Sequence, residues 1–210
     1  MAEKLTIDPK QAALVVIDVQ NGYCHERGGL ALAGANNKPQ IAIVPRVKSL
    51  VKLCRKAGIP IVWVLQEHYP DDETRKHHVI PSHMDKRGIS VAMKNTWDGE
   101  PVQELKEEMR PDDHYVKKHR MSSFYGTTLE VLLRMIGRRL LIISGVSTNV
   151  CVESTIRDAY FRDFDQILVS DCTASSFEDL YQATLKNVEV YFGRVLTLQQ
   201  LAETLDIGLE

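Results

Sequence analysis

One stretch of the chain, residues 140–158, limits the possible folds more than any other. It begins with the apolar run Leu140–Ile143, which is short and unbroken and therefore typical of a strand buried on both faces. The run stops at a Ser-Gly pair, and a helix-compatible run begins near Val150. A buried strand that turns directly into a helix predicts a parallel α/β sheet. Cys151 then lies at the carboxyl edge of that sheet, where such folds bind ligands.

The position of Cys151 leaves two interpretations open. Backbone N–H groups at the start of a helix are unpaired and carry partial positive charge, which favours a reactive thiolate over a thiol. A lone cysteine is also often just a small buried hydrophobic residue. The rest of the chain has to decide between the two.

Length and composition narrow the class of protein. The 210 residues suit one domain, 1–210, with a substantial core. The net charge of −2 gives no reason to expect a nucleic-acid or membrane partner. No apolar run approaches the roughly 18 residues that span a bilayer, and the first ten residues lack the apolar core of a signal peptide. We therefore expect a cytoplasmic location.

The four cysteines are widely spaced and form no Cys-x-x-Cys pair, so free thiols are a better interpretation than a disulfide framework. Cys54 continues an apolar stripe at helical spacing and is predicted to be core. Cys24 and Cys172 each follow an apparent strand end, so the sequence leaves open whether either lies in a site.

Apolar runs alternate with helix-like segments along the whole chain. The predicted strands include 12–17, 59–65, 140–143, 167–170 and 188–192. The predicted helices include 41–57, a helix opened by a Thr127-x-x-Glu130 capping box, and a terminal helix capped by Thr197-x-x-Gln200. This alternation predicts one doubly wound α/β domain, with a mostly parallel sheet and helices on both faces. Residues 66–96 have no clear period, and so long an irregular segment favours a binding loop.

Asp18 and one lysine are predicted to reach the same edge as Cys151. Asp18 ends the first apolar run, either as a turn cap or as a carboxylate held in a cleft. Lys117 and Lys118 lie on a strand-like segment, and the alternation of a strand sends one of them to the solvent and the other toward the cleft. In such a cleft the ammonium stabilises a thiolate, and the carboxylate moves protons during acyl transfer. Nearby backbone N–H groups can hold the oxyanion. This set suits hydrolysis of a carbon–nitrogen bond through a thioester.

Three blocks of sequence carry a resemblance to a known family. They are VVIDVQNGY at 15–23, KHRMSSFYGTTLE at 118–130 and SGVSTNVCVESTIRDA at 144–159. Together they resemble the isochorismatase-like cysteine hydrolases, and the resemblance covers nearly the whole chain. It implies that Cys151 is the nucleophile and Asp18 the acid–base carboxylate. The lysine of the family precedes an arginine by two residues, so the resemblance assigns that role to Lys118, two residues before Arg120.

The resemblance has further implications for the site. The family has a non-proline cis peptide in the turn before the cysteine, which falls at Val146–Ser147 and aims the oxyanion donors. We expect Gln20, Tyr23, Trp97 and Phe124 to line the substrate pocket, although core packing explains each of them equally well. The family also implies a homo-oligomer of unknown size.

No metal or other cofactor is expected. Nicotinamidases of the family bind a metal through an Asp-x-His arrangement, whereas the second strand here runs into Gln66-Glu67-His68. His77, His78 and His83 lack the spacing of a metal site and are best explained as solvated loop residues.

The resemblance is greatest to the carbamoyl- and ureido-cleaving branch, and it rests on TNVCVEST, on residues 95–98 and on the ending NVEVYFGRV. It implies a cysteine hydrolase for a small amide or ureido substrate that releases ammonia. The alternatives are a nicotinamidase-like or other small-amide hydrolase, and a non-catalytic homologue that binds a small molecule. The retained Asp18, Lys118 and Cys151 argue against the last of these.

Overall fold

A computed structural model describes residues 5–72, 79–81, 85–86 and 88–209. Its centre is a parallel sheet of strand order β3-β2-β1-β4-β5-β6. The strands are β1 (Ala12–Ile17), β2 (Ile61–Gln66), β3 (His114–Lys118), β4 (Leu140–Val146), β5 (Asp165–Ala174) and β6 (Arg194–Leu196). The predicted α/β class and doubly wound sheet are confirmed.

Helices cover both faces of the sheet. They are α1 (Asn21–Cys24), α2 (Gly29–Leu32), α3 (Lys38–Ala42), α4 (Val44–Lys56), α5 (Gln103–Lys106), α6 (Leu129–Met135), α7 (Glu153–Tyr160), α8 (Glu178–Asn187) and α9 (Leu198–Leu205). Alternate residues of β1 pack into two separate cores: Leu14 and Val16 into the core that contains α4 and α9, and Val15 into the core that contains α6 and α7. This explains why β1 is apolar at every position.

The last predicted strand is wrong. Residues 188–192 form a single turn of π-helix, Val188–Phe192, that extends α8, and the strand β6 begins two residues later. A run of five residues with four apolar positions fits a turn of helix as well as a strand. Gly193 separates the two elements, and a Cβ on it would lie 2.4 Å from the carbonyl oxygen of Gln166. The absence of a side chain therefore lets β6 approach β5.

The predicted helix boundaries have mixed outcomes. The helix expected at 41–57 is divided into α3 and α4, and its end before Gly58, which has a φ of 71°, is as predicted. The capping box of Thr197 and Gln200 is confirmed, because both of its hydrogen bonds are present. The box at Thr127 is not formed, because Glu130 pairs with Arg134 and Arg162 instead. In the described part of the chain, no helix has the length and apolar character that crossing a membrane requires.

Candidate active site

The site lies where the order of the strands reverses, between β1 and β4. Ligands of open α/β sheets bind in the crevice at this point. Asp18 follows the last residue of β1, is 1% exposed and has a φ of 55°. Gly145, the β4 residue beside Ile17, has a φ of 112°, and a Cβ on it would lie 2.0 Å from the Ile17 carbonyl oxygen. Only glycine therefore lets the two strands approach this closely beneath Asp18.

Lys118 ends β3, two strands away, and its side chain crosses to Asp18. The strand alternates as expected, because Lys117 is exposed and pairs with Glu67 whereas Lys118 is fully buried. The Lys118 ammonium lies 2.7 Å from the Asp18 carboxylate and 3.4 Å from the sulfur of Cys151. The structure thus brings together all three side chains that the sequence analysis selected.

Cys151 lies in a turn of π-helix, Thr148–Val152, between β4 and α7. The peptide bond between Val146 and Ser147 is cis. The carbonyl oxygen of Ser147 accepts hydrogen bonds from the N–H groups of both Val150 and Val152. This shared acceptor fixes the start of the turn that carries Cys151.

Burial sets the protonation of the three groups. It raises the pKa of the Cys151 thiol to about 12, and the nearby Lys118 ammonium offsets only part of this effect. Burial also raises the pKa of Asp18 above its usual range, against the attraction of Lys118. The pKa of Lys118 is raised because Asp18 and Cys151 together outweigh its desolvation. Lys118 therefore favours the thiolate, as expected, but burial outweighs it, so that the pKa of the Cys151 thiol is raised instead of lowered.

Gln66 is a site residue that the sequence analysis missed. Its side-chain oxygen accepts a hydrogen bond of 2.6 Å from the Lys118 ammonium, and its amide nitrogen donates to the Lys118 carbonyl at 3.0 Å. Gln66 ends β2 and is 3% exposed. A polar residue at the end of a buried strand was the signal that selected Asp18, and the same signal was available here.

The four residues expected to line the pocket have different surroundings. Gln20 is fully buried, and in the described part of the chain its amide bonds the backbone of Gln66 and Gly99. It therefore connects the segment after β1 to the end of β2 and to the turn after Trp97. Phe124 is 5% exposed and packs in the core beside Phe164. Tyr23 is partly buried against the other core, and Trp97 is 44% exposed.

A hydrogen-bond chain joins the nucleophile turn to the segment that follows β3. The Thr155 hydroxyl, one turn into α7, donates to the carbonyl oxygen of Cys151 at 2.7 Å and lies 2.9 Å from the Ser123 hydroxyl. The Ser123 N–H donates back to Thr155 at 3.0 Å. All these groups except Cys151 are fully buried. The chain therefore fixes the turn that carries Cys151 relative to the segment that follows Lys118.

The remaining predictions for this edge concern metal and the other cysteines. Cys24 and Cys172 are buried in the apolar core. Within residues 5–72, 79–81, 85–86 and 88–209, no cluster of three His, Cys, Asp or Glu side chains could hold a metal ion. His77, His78 and His83 lie outside the described residues, as does much of the 66–96 loop.

Burial and pKa together predict how the thiols react. Cys151 is half-buried, whereas the other three cysteines are buried and the pKa of each is also raised. We expect iodoacetamide to modify Cys151 alone in the native protein, with a rate that still increases between pH 8 and 10 because the thiolate fraction keeps rising. Mass mapping of alkylated peptides measures this. A Cys151 rate that reaches its plateau below pH 7 would contradict the raised pKa.

The chain matches known proteins over nearly its whole length. The family described as the Isochorismatase domain matches residues 12–200. Ureidoacrylate amidohydrolase RutB of Enterobacter sp. (strain 638) is 34% identical over 214 residues, which cover 96% of this chain and 92% of that protein. The family match spans the positions of Asp18, Lys118 and Cys151.

Solved structures of other proteins have the same fold. A cysteine hydrolase from Pseudomonas syringae pv. phaseolicola 1448A superimposes with a TM-score of 0.81 and 24% identity, over 98% of this chain and 99% of that one. N-carbamoylsarcosine amidase from Thermoplasma acidophilum does so with a TM-score of 0.73 and 27% identity, over 89% and 96%. The fold is common to both.

Proposed function

The chain belongs to the isochorismatase family, and from that premise we propose that it is a cysteine-dependent amidohydrolase. Its substrate is a small ureido or carbamoyl compound, and the reaction passes through a thioester on Cys151. One observation carries the proposal: a single buried ammonium, that of Lys118, lies 2.7 Å from the Asp18 carboxylate and 3.4 Å from the Cys151 sulfur. The 34% identity to a ureidoacrylate amidohydrolase supports the choice of substrate class.

In the first half of the reaction, Asp18 acts as the base. The thiol of Cys151 is protonated at neutral pH because its pKa is raised to about 12, so attack requires a proton acceptor. Asp18, whose pKa is also raised, takes that proton as the sulfur bonds to the carbonyl carbon. The Cys151 N–H stabilises the negative oxygen of the tetrahedral intermediate.

The second half returns the proton and releases the acyl group. Asp18 protonates the leaving nitrogen as the C–N bond breaks, which leaves a thioester on Cys151. Asp18 then takes a proton from water, which attacks the thioester and regenerates the thiol. For a ureido substrate the released acid is a carbamate, which decomposes to ammonia and carbon dioxide. Lys118 stays charged and holds both Asp18 and the sulfur in place.

Ammonia release from a panel of compounds tests this function. The panel contains ureidoacrylate, 3-ureidopropionate, biuret, nicotinamide and acetamide, each assayed before and after treatment with a chelator. We expect release from a ureido compound that is unchanged by the chelator. Chelator-sensitive release from nicotinamide would favour the nicotinamidase-like alternative instead. No release from any compound would favour a non-catalytic binding protein.

The homo-oligomer and the cytoplasmic location stay predictions. Exposed aromatic side chains at the end of α7 and in the turn after α8, those of Tyr160, Phe161 and Tyr191, are the kind of surface that subunits bury on assembly. Sedimentation of the purified protein measures its assembly state directly.

A further inference from the structure

One cation near the carboxyl edge of the sheet has no acidic partner. Arg27 follows α1, and its guanidinium lies 5.7 Å from the centre of the Trp97 ring. Within the described part of the chain it forms no ion pair and no side-chain hydrogen bond. Four other cations of this edge have acidic partners in the described part of the chain: Lys118 pairs with Asp18, Lys94 and Lys117 share Glu67, and Arg120 pairs with Asp72.

Asp98 adjoins Trp97 and Glu26 adjoins Arg27 in the sequence, and neither carboxylate forms an ion pair with Arg27 in the described part of the chain. Both carboxylate oxygens of Asp98, next to Trp97, accept backbone hydrogen bonds, from Gly29 at 2.8 Å and from Ala92 at 2.6 Å. Glu26, the preceding residue, forms no ion pair with Arg27. The guanidinium is thus held over an aromatic ring with its donors unused, an arrangement suited to binding a carboxylate in a bidentate manner.

His25 adds a second donor to the same surface. Its ring packs edge-on against Trp97, with ring centres 4.9 Å apart. The backbone N–H of Arg27 donates to His25 Nδ1 at 3.1 Å, so the neutral ring carries its proton on Nε2. We call His25, Arg27 and Trp97 the rim cluster. It combines a permanent positive charge, an N–H donor and a half-exposed aromatic face.

Hydrogen bonds join the rim cluster to the residues around Lys118. The Asn21 amide donates to the Trp97 carbonyl at 2.8 Å, and the Gln20 amide donates to that of Gly99 at 2.7 Å. Gln20 also bonds the backbone of Gln66, whose side chain holds the Lys118 ammonium. Cys24, next to His25, is close enough to Asp18 for the charge of Asp18 to contribute to its raised pKa. These bonds connect the rim cluster, through Gln20 and Gln66, to Lys118.

We propose that Arg27, supported by His25 and Trp97, binds the carboxylate of an anionic substrate and makes the enzyme selective for ureido acids over neutral ureas. Cleavage of the bound substrate rests on the proposed function. Binding of the carboxylate by Arg27 does not depend on it. The proposal requires the other end of a short ureido acid to reach Cys151 when its carboxylate is bound at the rim cluster. Arg27 is thus a specificity residue and takes no part in bond cleavage.

Binding to the Cys151→Ala protein tests the proposal without requiring turnover. The probes are 3-ureidopropionate and propylurea, which matches its length but lacks the carboxylate, and binding is measured by calorimetry. We expect Arg27→Gln to weaken 3-ureidopropionate binding by about 10- to 100-fold, because a charge-assisted bidentate contact is lost. Arg27→Lys should restore part of the loss, and propylurea binding should not change. Arg194→Gln, at the amino edge of the sheet, is the matched control and should have no effect.

Turnover by the otherwise unmodified enzyme separates the two proposals. If it cleaves 3-ureidopropionate, Arg27→Gln should raise KM by a similar factor and leave kcat nearly unchanged. Cleavage with the same KM in both proteins would overturn the role of Arg27 and leave the hydrolase intact. Absence of turnover together with Arg27-dependent binding would overturn the hydrolase but support the carboxylate site. Binding that is insensitive to Arg27 would overturn the carboxylate site.

Discussion

Cys151→Ala should abolish ammonia release from ureido substrates, with a loss on the order of 10⁴-fold or more, which is typical when a nucleophile is removed. The sulfur is the only thiol within reach of both Lys118 and Asp18 in the described structure. Steady-state ammonia assays measure the loss. Thermal unfolding should show a native fold, because the half-buried side chain loses a single heavy atom.

Cys54→Ala is the matched control for this prediction. It removes a fully buried thiol from α4, in the core on the α4 and α9 side of the sheet. We expect it to lower stability through the cavity it creates and to leave kcat nearly unchanged. Equal activity losses in the two variants would indicate a general structural effect and would count against Cys151 as the nucleophile.

Lys118→Met should remove both activity and a large part of the folding stability. The Lys118 side chain is fully buried and that of Asp18 is 1% exposed, so the substitution leaves a carboxylate without its counter-charge. Removing one partner of a buried ion pair costs about 3–5 kcal/mol. Urea unfolding measures the change in the free energy of unfolding. Lys117→Met, in the exposed neighbour, should cost less than about 1 kcal/mol.

The pH dependence identifies the cause of the Lys118→Met defect. The pKa of Asp18 is already raised in the folded protein, and loss of Lys118 raises it further. A carboxyl whose folded pKa exceeds its unfolded value destabilises the fold as pH rises through the folded value. The free energy of unfolding that Lys118→Met loses, relative to the unsubstituted protein, should therefore be larger at pH 8 than at pH 5.

A double variant keeps this prediction testable if the single one folds poorly. Asp18→Asn with Lys118→Met removes both charges, and asparagine tolerates the positive φ of position 18. We expect it to recover most of the lost stability and to remain inactive. Recovery of activity would contradict the roles of Asp18 and Lys118. An unchanged stability deficit would show that the unpaired charge is not its cause.

The sequence was informative where one physical rule dominated. Burial on both faces identified β1 and β4. The alternation of β3 predicted that only one of Lys117 and Lys118 faces the cleft, and the family resemblance selected Lys118, which the structure buries. The turn of 188–192 was mispredicted because four apolar residues in a run of five do not distinguish a strand from an extension of α8. The raised pKa of the Cys151 thiol was not predicted because a helix start and an ammonium are visible as sequence features, whereas the desolvation around Cys151 is not.

Long-range contacts between side chains were the other feature that the sequence did not reveal. No sequence pattern links Gln66 to Lys118, 52 residues away, or the ring of Trp97 to Arg27. Both pairs depend on which strands and loops meet at the carboxyl edge. The order of the strands brings β2 beside β3, and the hydrogen bonds of Gln20 bring the Trp97 turn toward the site.

The most direct test of the central claim is to identify the covalent intermediate. The enzyme is mixed with ureidoacrylate, quenched in acid at the earliest practicable time, digested and examined by mass spectrometry. We predict a carbamoyl group on the peptide that contains Cys151, present during turnover and lost when the substrate is exhausted. Ammonia formation with no adduct at any time on Cys151, or with the adduct on another residue, would contradict the thioester mechanism.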